Sequence, residues 1–366
     1  MRLSVASVAG DAGGAEAIAP ALELLARRGA LAEVWAGPPA AAVFSRAGIA
    51  HRALGGSDDG LDLLAAATPT VLLTGTSWGE EPIELRFLDA ARRLGIPTVS
   101  VIDFWSNYVT RFLSKSGRLV LPDRIVVPDE VALLEAEAEG LPRGRLLITG
   151  NPHYEQLIKR YQGFDMDARL AFRDRVGLER EATVVLFASQ PIRALYGEQL
   201  GYTEDAVLPL VADGLVRVSQ WLGHPLVLAI RPHPREGAGP TVEATPEVSV
   251  VAAHDEDPLA WALAADLVVG MNSALLLQAA MLGARVVSVQ PGLVGVDRLP
   301  SNRLGLSECV FVAGDVSAAL YRALAVPERR RATRALIRLR HAAAGSAVRL
   351  LDVIVSLGTR VISEAV

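Results

Sequence analysis

Pro225-Leu-Val-Leu-Ala-Ile230 breaks into Arg231-Pro-His-Pro-Arg235, and Asp266-Leu-Val-Val-Gly270 runs through Met271, Asn272 and Ser273 into Ala274-Leu-Leu-Leu-Gln-Ala-Ala-Met-Leu-Gly283. Each begins as a continuous apolar run, long enough for a buried strand and too short for a helix. That is the pattern of a parallel sheet covered on both faces. Arg285-Val-Val-Ser-Val289, ending in Gln290-Pro-Gly292, repeats it. In such sheets ligands bind beyond the carboxyl ends of the strands. Ser273 falls at a helix N-cap, where main-chain N–H groups and the helix dipole suit an anion. His233, with Arg231 and Arg235 beside it, supplies donors and positive charge to the same anion. The two clusters predict a diphosphate or nucleotide held where two neighbouring strands end. A plainer reading stands beside this one: Asn-Ser ahead of an apolar run caps any helix, and His233 between two prolines suits a surface turn.

With 366 residues, 51% of them hydrophobic, the chain exceeds one ordinary core and predicts two domains. No apolar run reaches the roughly 18 residues of a membrane-spanning helix. Met1-Arg-Leu-Ser-Val-Ala-Ser-Val-Ala-Gly10 invites a signal-peptide reading, but Asp11 and Glu16 follow at once. The run reads better as a first strand, and a cytoplasmic protein is expected. Cys309 is the only cysteine, which removes any intrachain disulfide, and Cys309-Val-Phe-Val312 predicts a small core residue. The formal net charge of −5 argues against a general nucleic-acid binder. Lysine occurs only at Lys115 and Lys159, so abundant arginine is a compositional bias rather than a phosphate signal. Glu328-Arg-Arg-Arg331, with Arg334, Arg338 and Arg340 beyond, reads as a solvated helix face or as peripheral contact with an anionic membrane.

In chain order, Leu3 to Ala9 reads as a strand, Gly10-Asp-Ala-Gly-Gly14 as a turn and Ala15 to Arg28 as a helix. The glycine spacing fits neither the dinucleotide fingerprint nor a Walker loop. Further strand–helix units follow, including Val71–Thr74 and Thr98–Ile102. Their ends carry Ser77, Trp78, Glu80, Asp103, Trp105 and Asn107, a concentration of polar and aromatic side chains in a chain with 5% aromatics. Such a set suits a sugar or other small ligand. It equally suits a helix N-cap with first-turn acids (Ser77, Glu80, Glu81) beside a packed aromatic turn. Leu146–Thr149 closes the first array, and Thr183–Phe187 opens the second. The expected layout is therefore an N-terminal Rossmann-like domain at 1–160, a connector at 161–180 and a C-terminal Rossmann-like domain at 181–345. A last helix at 346–366 is apolar enough to pack back on the first domain.

This layout resembles the GT-B superfamily, α/β proteins whose two Rossmann-like domains carry parallel sheets facing across a cleft. Within it the chain is similar to the group of UDP-N-acetylglucosamine 2-epimerases and of CDP-glycerol glycerophosphotransferase and bacterial sialyltransferase relatives. Thr149-Gly-Asn151 resembles the epimerases' "TGN" segment. Arg231-Pro-His-Pro234 resembles the transferases' His-Pro motif, whose histidine contacts the donor phosphate. Gly270-Met-Asn-Ser273 with Gln278-Ala-Ala-Met-Leu-Gly283 resembles the donor-binding helix, with Gln278 standing where many relatives have a ribose-binding glutamate. The epimerases' His-Arg-Arg-Glu-Asn-like segment has no counterpart, for Ser189-Gln-Pro-Ile-Arg193 holds its place.

The resemblance implies a glycosyltransferase that moves a sugar from a UDP-, CMP- or CDP-linked donor, needs no cofactor, and acts in cell-surface glycan or glycoconjugate synthesis. With no Asp-X-Asp metal motif recognised, a metal-independent enzyme is expected. Arg231, His233, Asn272, Ser273, Gln278, Ser189 and Gln190 would bind the nucleotide. Asp11, Gly13, Gly14, Ser77, Trp78, Trp105 and Asn107 would bind a glycan, lipid or protein acceptor. Asp103 or, second, Glu80 would take the acceptor's proton, and His233 would stabilise the leaving phosphate. A nucleotide-sugar hydrolase or epimerase and a non-catalytic binding protein are the alternatives, and a homodimer fits any of them.

Overall fold

The computed structural model describes residues 2–55, 58–79, 82–237, 239–325 and 333–364. The chain forms two compact units: residues to Lys159 together with those from Leu339 onward, and Arg160–Arg338.

The first unit holds a seven-stranded, all-parallel sheet. Its strands are β1 (Val5–Ala9), β2 (Leu31–Ala36), β3 (Arg52–Ala53), β4 (Val71–Thr74), β5 (Thr98–Val101), β6 (Arg124–Val127) and β7 (Leu146–Ile148). They run in the order β3-β2-β1-β4-β5-β6-β7. Helices cover both faces, so β1, β4 and β5 are buried at every position, which explains why they carry no charged residue. The second unit repeats the plan with β8 (Thr183–Ala188), β9 (Leu226–Arg231), β10 (Val248–Ala252), β11 (Leu267–Gly270), β12 (Val286–Val289) and β13 (Glu308–Val310). Its parallel order is β10-β9-β8-β11-β12-β13. In each sheet the order reverses once, at β1/β4 and at β8/β11, the points where open α/β sheets leave a crevice.

Several expectations are corrected. Gly10–Gly14 is not a free turn, because Asp11 caps a helix that already includes Ala12, Gly13 and Gly14 (Ala12–Arg27). The connector expected at 161–180 is helical and belongs to the second unit. Helix Met166–Arg175 is part of the second unit, where Arg169 and Arg173 each donate from Nε to the Ala264 carbonyl and from Nη2 to Asp266, all at 2.9–3.0 Å. Arg173 is fully buried there. The last helix, Ser346–Glu364, sits in the first unit's core, with Leu350, Leu351, Ile354 and Leu357 against Val5, Ile18 and Val71. Glu155 receives its N-terminus, accepting from the main-chain N–H of Gly345 and Ala347 and from Ser346 Oγ. Cys309 lies exposed on edge strand β13 rather than in the core. Glu328–Arg331 falls outside the described residues. No single described helix is long and apolar enough to cross a membrane.

Candidate functional site

At the carboxyl edge of the second sheet, β8 lies between β9 and β11. The two clusters read as ends of neighbouring strands are therefore separated by a third strand end, Ser189-Gln190, which ties to both. On one side Ser189 Oγ donates to Glu236 Oε1 (2.7 Å), and Glu236 Oε2 accepts the main-chain N–H of His233 (2.5 Å). On the other side Gln190 Oε1 accepts the main-chain N–H of Asn272 (2.8 Å). Ser273 then caps helix Ala274–Met281, its Oγ accepting from Leu275 N. Gly270 is required here, since a methyl group on it would meet the Ala188 carbonyl at 2.8 Å and Leu276 at 2.7 Å.

His233 Nδ1 accepts the Arg235 main-chain N–H (3.1 Å), which leaves the neutral ring's proton on Nε2 as a donor. Burial holds the His233 imidazole below its ordinary pKa, against Glu236 and with Arg235, so the neutral form prevails at pH 7.

In the first unit the corresponding edge gathers carboxylates. Asp11 Oδ1 accepts the Gly14 N–H at 2.9 Å. A methyl group at Gly13 would meet Asp103 Oδ2 at 2.3 Å and Asp11 Oδ1 at 3.9 Å, so both carboxylates reach the same hydrogen-only face of the helix. Arg111, buried, pairs with Asp103 Oδ1 at 2.5 Å and bonds Thr76 Oγ1 at 2.9 Å. Burial and then the Asp103 charge raise the Asp11 carboxyl, with the Gly14 N–H, Arg111 and the Trp78 N–H opposing. Asn151 Nδ2 holds the Asp103 carbonyl (2.9 Å) while its Oδ1 accepts His153 N–H. His153 Nε2 lies 3.8 Å from Glu16 Oε2. Burial lowers the His153 pKa, with Glu16 and Asp103 pulling the other way. Beneath this edge Glu84, 2% exposed, accepts from Gly10 N and Ser77 Oγ, both at 2.7 Å and both to Oε1.

No protein-family model and no curated protein sequence matches the chain. Solved structures do. A UDP-GlcNAc 2-epimerase from Neisseria meningitidis, bound to UDP-GlcNAc, superposes with a TM-score of 0.63 at 14% identity, over 97% of this chain and 100% of that one. The glycosyltransferase of kitacinnamycin gives 0.59 at 20% identity (98% and 100%), and MurG of Acinetobacter baumannii 0.60 at 13% (97% and 100%). The chain has the GT-B fold.

The candidate residues divide between the two sheet edges. Ser189, Gln190, His233, Asn272 and Ser273 converge at one sheet edge, with Gln278 partly buried on the helix that Ser273 caps. Arg231 is turned to other work: its Nη1 donates to the Ala253 and His254 carbonyls beyond β10. In the first unit Asp11, Gly13 and Asp103 converge. Gly14 packs on the Thr76 backbone, where a Cβ would come within 2.9 Å of Thr76 N. Ser77 is buried and committed to Glu84, not turned to an acceptor. Trp105 is likewise corrected: it is 1% exposed, donates from Nε1 to both Asp129 oxygens and stacks on Tyr154 (5.7 Å). Trp78, 60% exposed, is the aromatic left at the surface. Asn107 takes a left-handed turn position (φ 58°), which asparagine tolerates. Glu80 lies outside the described residues.

Glu236, Arg111, His153 and Glu84 were not singled out from sequence. Each is an isolated charged or imidazole residue whose significance comes from a partner 7 to 137 positions away, except Glu236, which also closes its own turn on His233. The chain does contain two Asp-X-Asp triplets, Asp165-Met-Asp167 and Asp255-Glu-Asp257. Asp165 and Asp257 cap helices. Among the described residues no cluster of three or more His, Cys, Asp or Glu could hold a metal ion.

Proposed function

We propose that the protein is a glycosyltransferase that takes its sugar from a UDP-, CMP- or CDP-linked donor. The observation that carries this reading is the second unit's tied edge, where Ser189-Gln190 joins the His233 turn to the Asn272-Ser273 corner. His233 Nε2–H and the capped helix supply neutral donors and a dipole suited to a phosphate that gains charge as it leaves. Likeness in fold to proteins solved with UDP-GlcNAc and UDP supports a nucleotide sugar.

The first unit would hold the acceptor, with Trp78 as an exposed aromatic surface. The acceptor oxygen attacks the anomeric carbon, the bond from that carbon to the donor phosphate breaks, and the acceptor's proton passes to Asp103. Arg111 fixes Asp103 for that step. Asp11, with its raised pKa, is the neighbouring carboxyl that keeps or passes on the proton.

The test is calorimetry with UDP, CMP, CDP and GDP, followed by turnover assays with the matching sugar nucleotides with and without candidate acceptors. No binding of any nucleotide, or binding indifferent to His233→Ala, rejects the site. A second reading, a nucleotide-sugar hydrolase or epimerase, is favoured by the paired Asp11 and Asp103 carboxyls with His153 near, which offer both an acid and a base. Breakdown or epimerisation of the donor without acceptor would select it. Binding without turnover would select a non-catalytic protein.

A further inference from the structure

Ser189 Oγ and the His233 main-chain N–H end two adjacent strands, and both donate to one carboxylate, Glu236, at 2.7 and 2.5 Å. A two-oxygen anion thus already occupies a pair of donors at the edge assigned above to the nucleotide. Glu236 comes from the same turn as His233, and its own N–H closes that turn on the His233 carbonyl (2.8 Å). We propose that Glu236 is an internal stand-in for the donor's phosphate, which a nucleotide must displace to bind. The inference rests on the nucleotide reading of this edge.

The physical case has three parts. A carboxylate and a phosphate cannot share two donors, because like charges a few ångströms apart repel in a partly dry site. Displacement is sterically cheap: Glu236 is only partly buried, so rotation of its side chain returns the carboxylate to water, next to exposed Arg235. The donors themselves do not move with it. Ser189 is buried, and its N–H is bonded to the Arg231 carbonyl at 2.9 Å. The turn of His233 stays closed by the Glu236 N–H, which donates to the His233 carbonyl, and by the Arg235 N–H, which donates to His233 Nδ1. A phosphate oxygen can therefore inherit the cradle unchanged, with His233 Nε2–H as a further donor.

The opposite role is a fixed brace, in which Glu236 keeps the turn against β8 and the ligand binds beside it. The two roles predict opposite signs. Calorimetry with UDP, CDP and CMP on the full chain, wild type against Glu236→Gln and Glu236→Ala, should show about tenfold tighter binding to both variants. A crystal structure of the UDP complex should show Ser189 Oγ and His233 N–H on phosphate oxygens and the Glu236 side chain swung away. Equal or weaker binding to both variants, with His233→Ala still abolishing it, overturns the displacement and leaves the nucleotide reading standing. No binding of these nucleotides to wild type or Glu236→Gln removes both. The isosteric Gln variant decides the matter should Glu236→Ala prove unstable in thermal unfolding.

Discussion

Gln190 Oε1 and the Asn272 main-chain N–H, 2.8 Å apart, join the ends of β8 and β11 where the second sheet reverses its strand order. This side-chain amide takes the place of a ladder bond beyond the last paired residues, Ala188 and Gly270. Gln190→Ala leaves the Asn272 N–H without that acceptor, and the loss should cost about 1–3 kcal/mol of stability. Urea unfolding measures it. UDP affinity should fall in the same variant because the Asn272-Ser273 corner loses its fixed position. An unchanged urea midpoint would show that water replaces the amide.

Asp103 and Arg111 form a half-buried pair at the first unit's edge. Asp103→Asn keeps the shape and removes the base. Once a substrate pair is found, kcat should drop roughly a hundredfold or more while nucleotide affinity stays put. Arg111→Leu should lower both stability and turnover, since it strips the counter-charge from Asp103 and a donor from Thr76. Full activity of Asp103→Asn would move the base elsewhere, with Asp11 next in line.

Glu84 sets a pH slope. Burial raises its carboxyl above the ordinary 4.5, with Ser77, its own N–H and Gly10 opposing and Asp11 adding to it. A carboxyl raised in the folded state stabilises fully below 4.5, and that contribution fades as pH rises through the folded value. Glu84→Gln keeps an oxygen for Gly10 and Ser77 and cannot ionise. Between pH 4.5 and 8 the variant's melting temperature should therefore fall less than that of the wild type. Parallel curves would show Glu84 ionised without penalty.

Glu155 runs the other way. Burial pushes its carboxyl up, but Lys159, Ala347 and Gly345 together hold it below the ordinary 4.5. Its contribution is present above pH 4.5 and is lost as pH falls through the lowered folded value. Glu155→Ala leaves the N-terminus of the last helix uncapped, at a cost of about 1–2 kcal/mol. Faster amide exchange across Ala347–Leu351 would report the loosened docking; protection equal to wild type would contradict it.

Asp266 pairs with two buried arginines at once, at 2.9 Å each. Asp266→Ala should destabilise the second unit by about 3–5 kcal/mol, because Arg169 and Arg173 keep their charge and lose their partner. Replacing Arg173 with Met should cost less, since it removes the charge along with the bonds. Chemical denaturation of the two variants ranks them.

Much of this was legible from residues alone. Val71–Thr74 and Leu267–Gly270 announce buried parallel strands because each position must face helices on both sides, whichever neighbours the strand has. Val248-Ser-Val-Val-Ala252 gave little signal: β10 is an edge strand with Ser249 and Ala252 exposed, so its pattern is mixed. The helix start at Asp11 was misplaced because glycines at 13 and 14 read as turn formers. Here they serve close approach, Gly13 to Asp103 and Gly14 to Thr76. Trp105 and Ser77 drew attention as polar and aromatic residues at strand ends, but side-chain direction is not written in composition, and both point inward.

The sequence by itself determined the two alternating βα arrays and the placing of His233, Asn272 and Ser273 just beyond strand ends, because apolar run length and helix capping are local properties of the chain. Only the tertiary structure decided that β8 stands between β9 and β11, that Glu236 occupies the donors of Ser189 and His233, and that Asp11 and Asp103 share one face of Gly13. Those facts depend on which strands pair and how closely backbones pass, and such contacts join residues tens of positions apart that no local pattern relates.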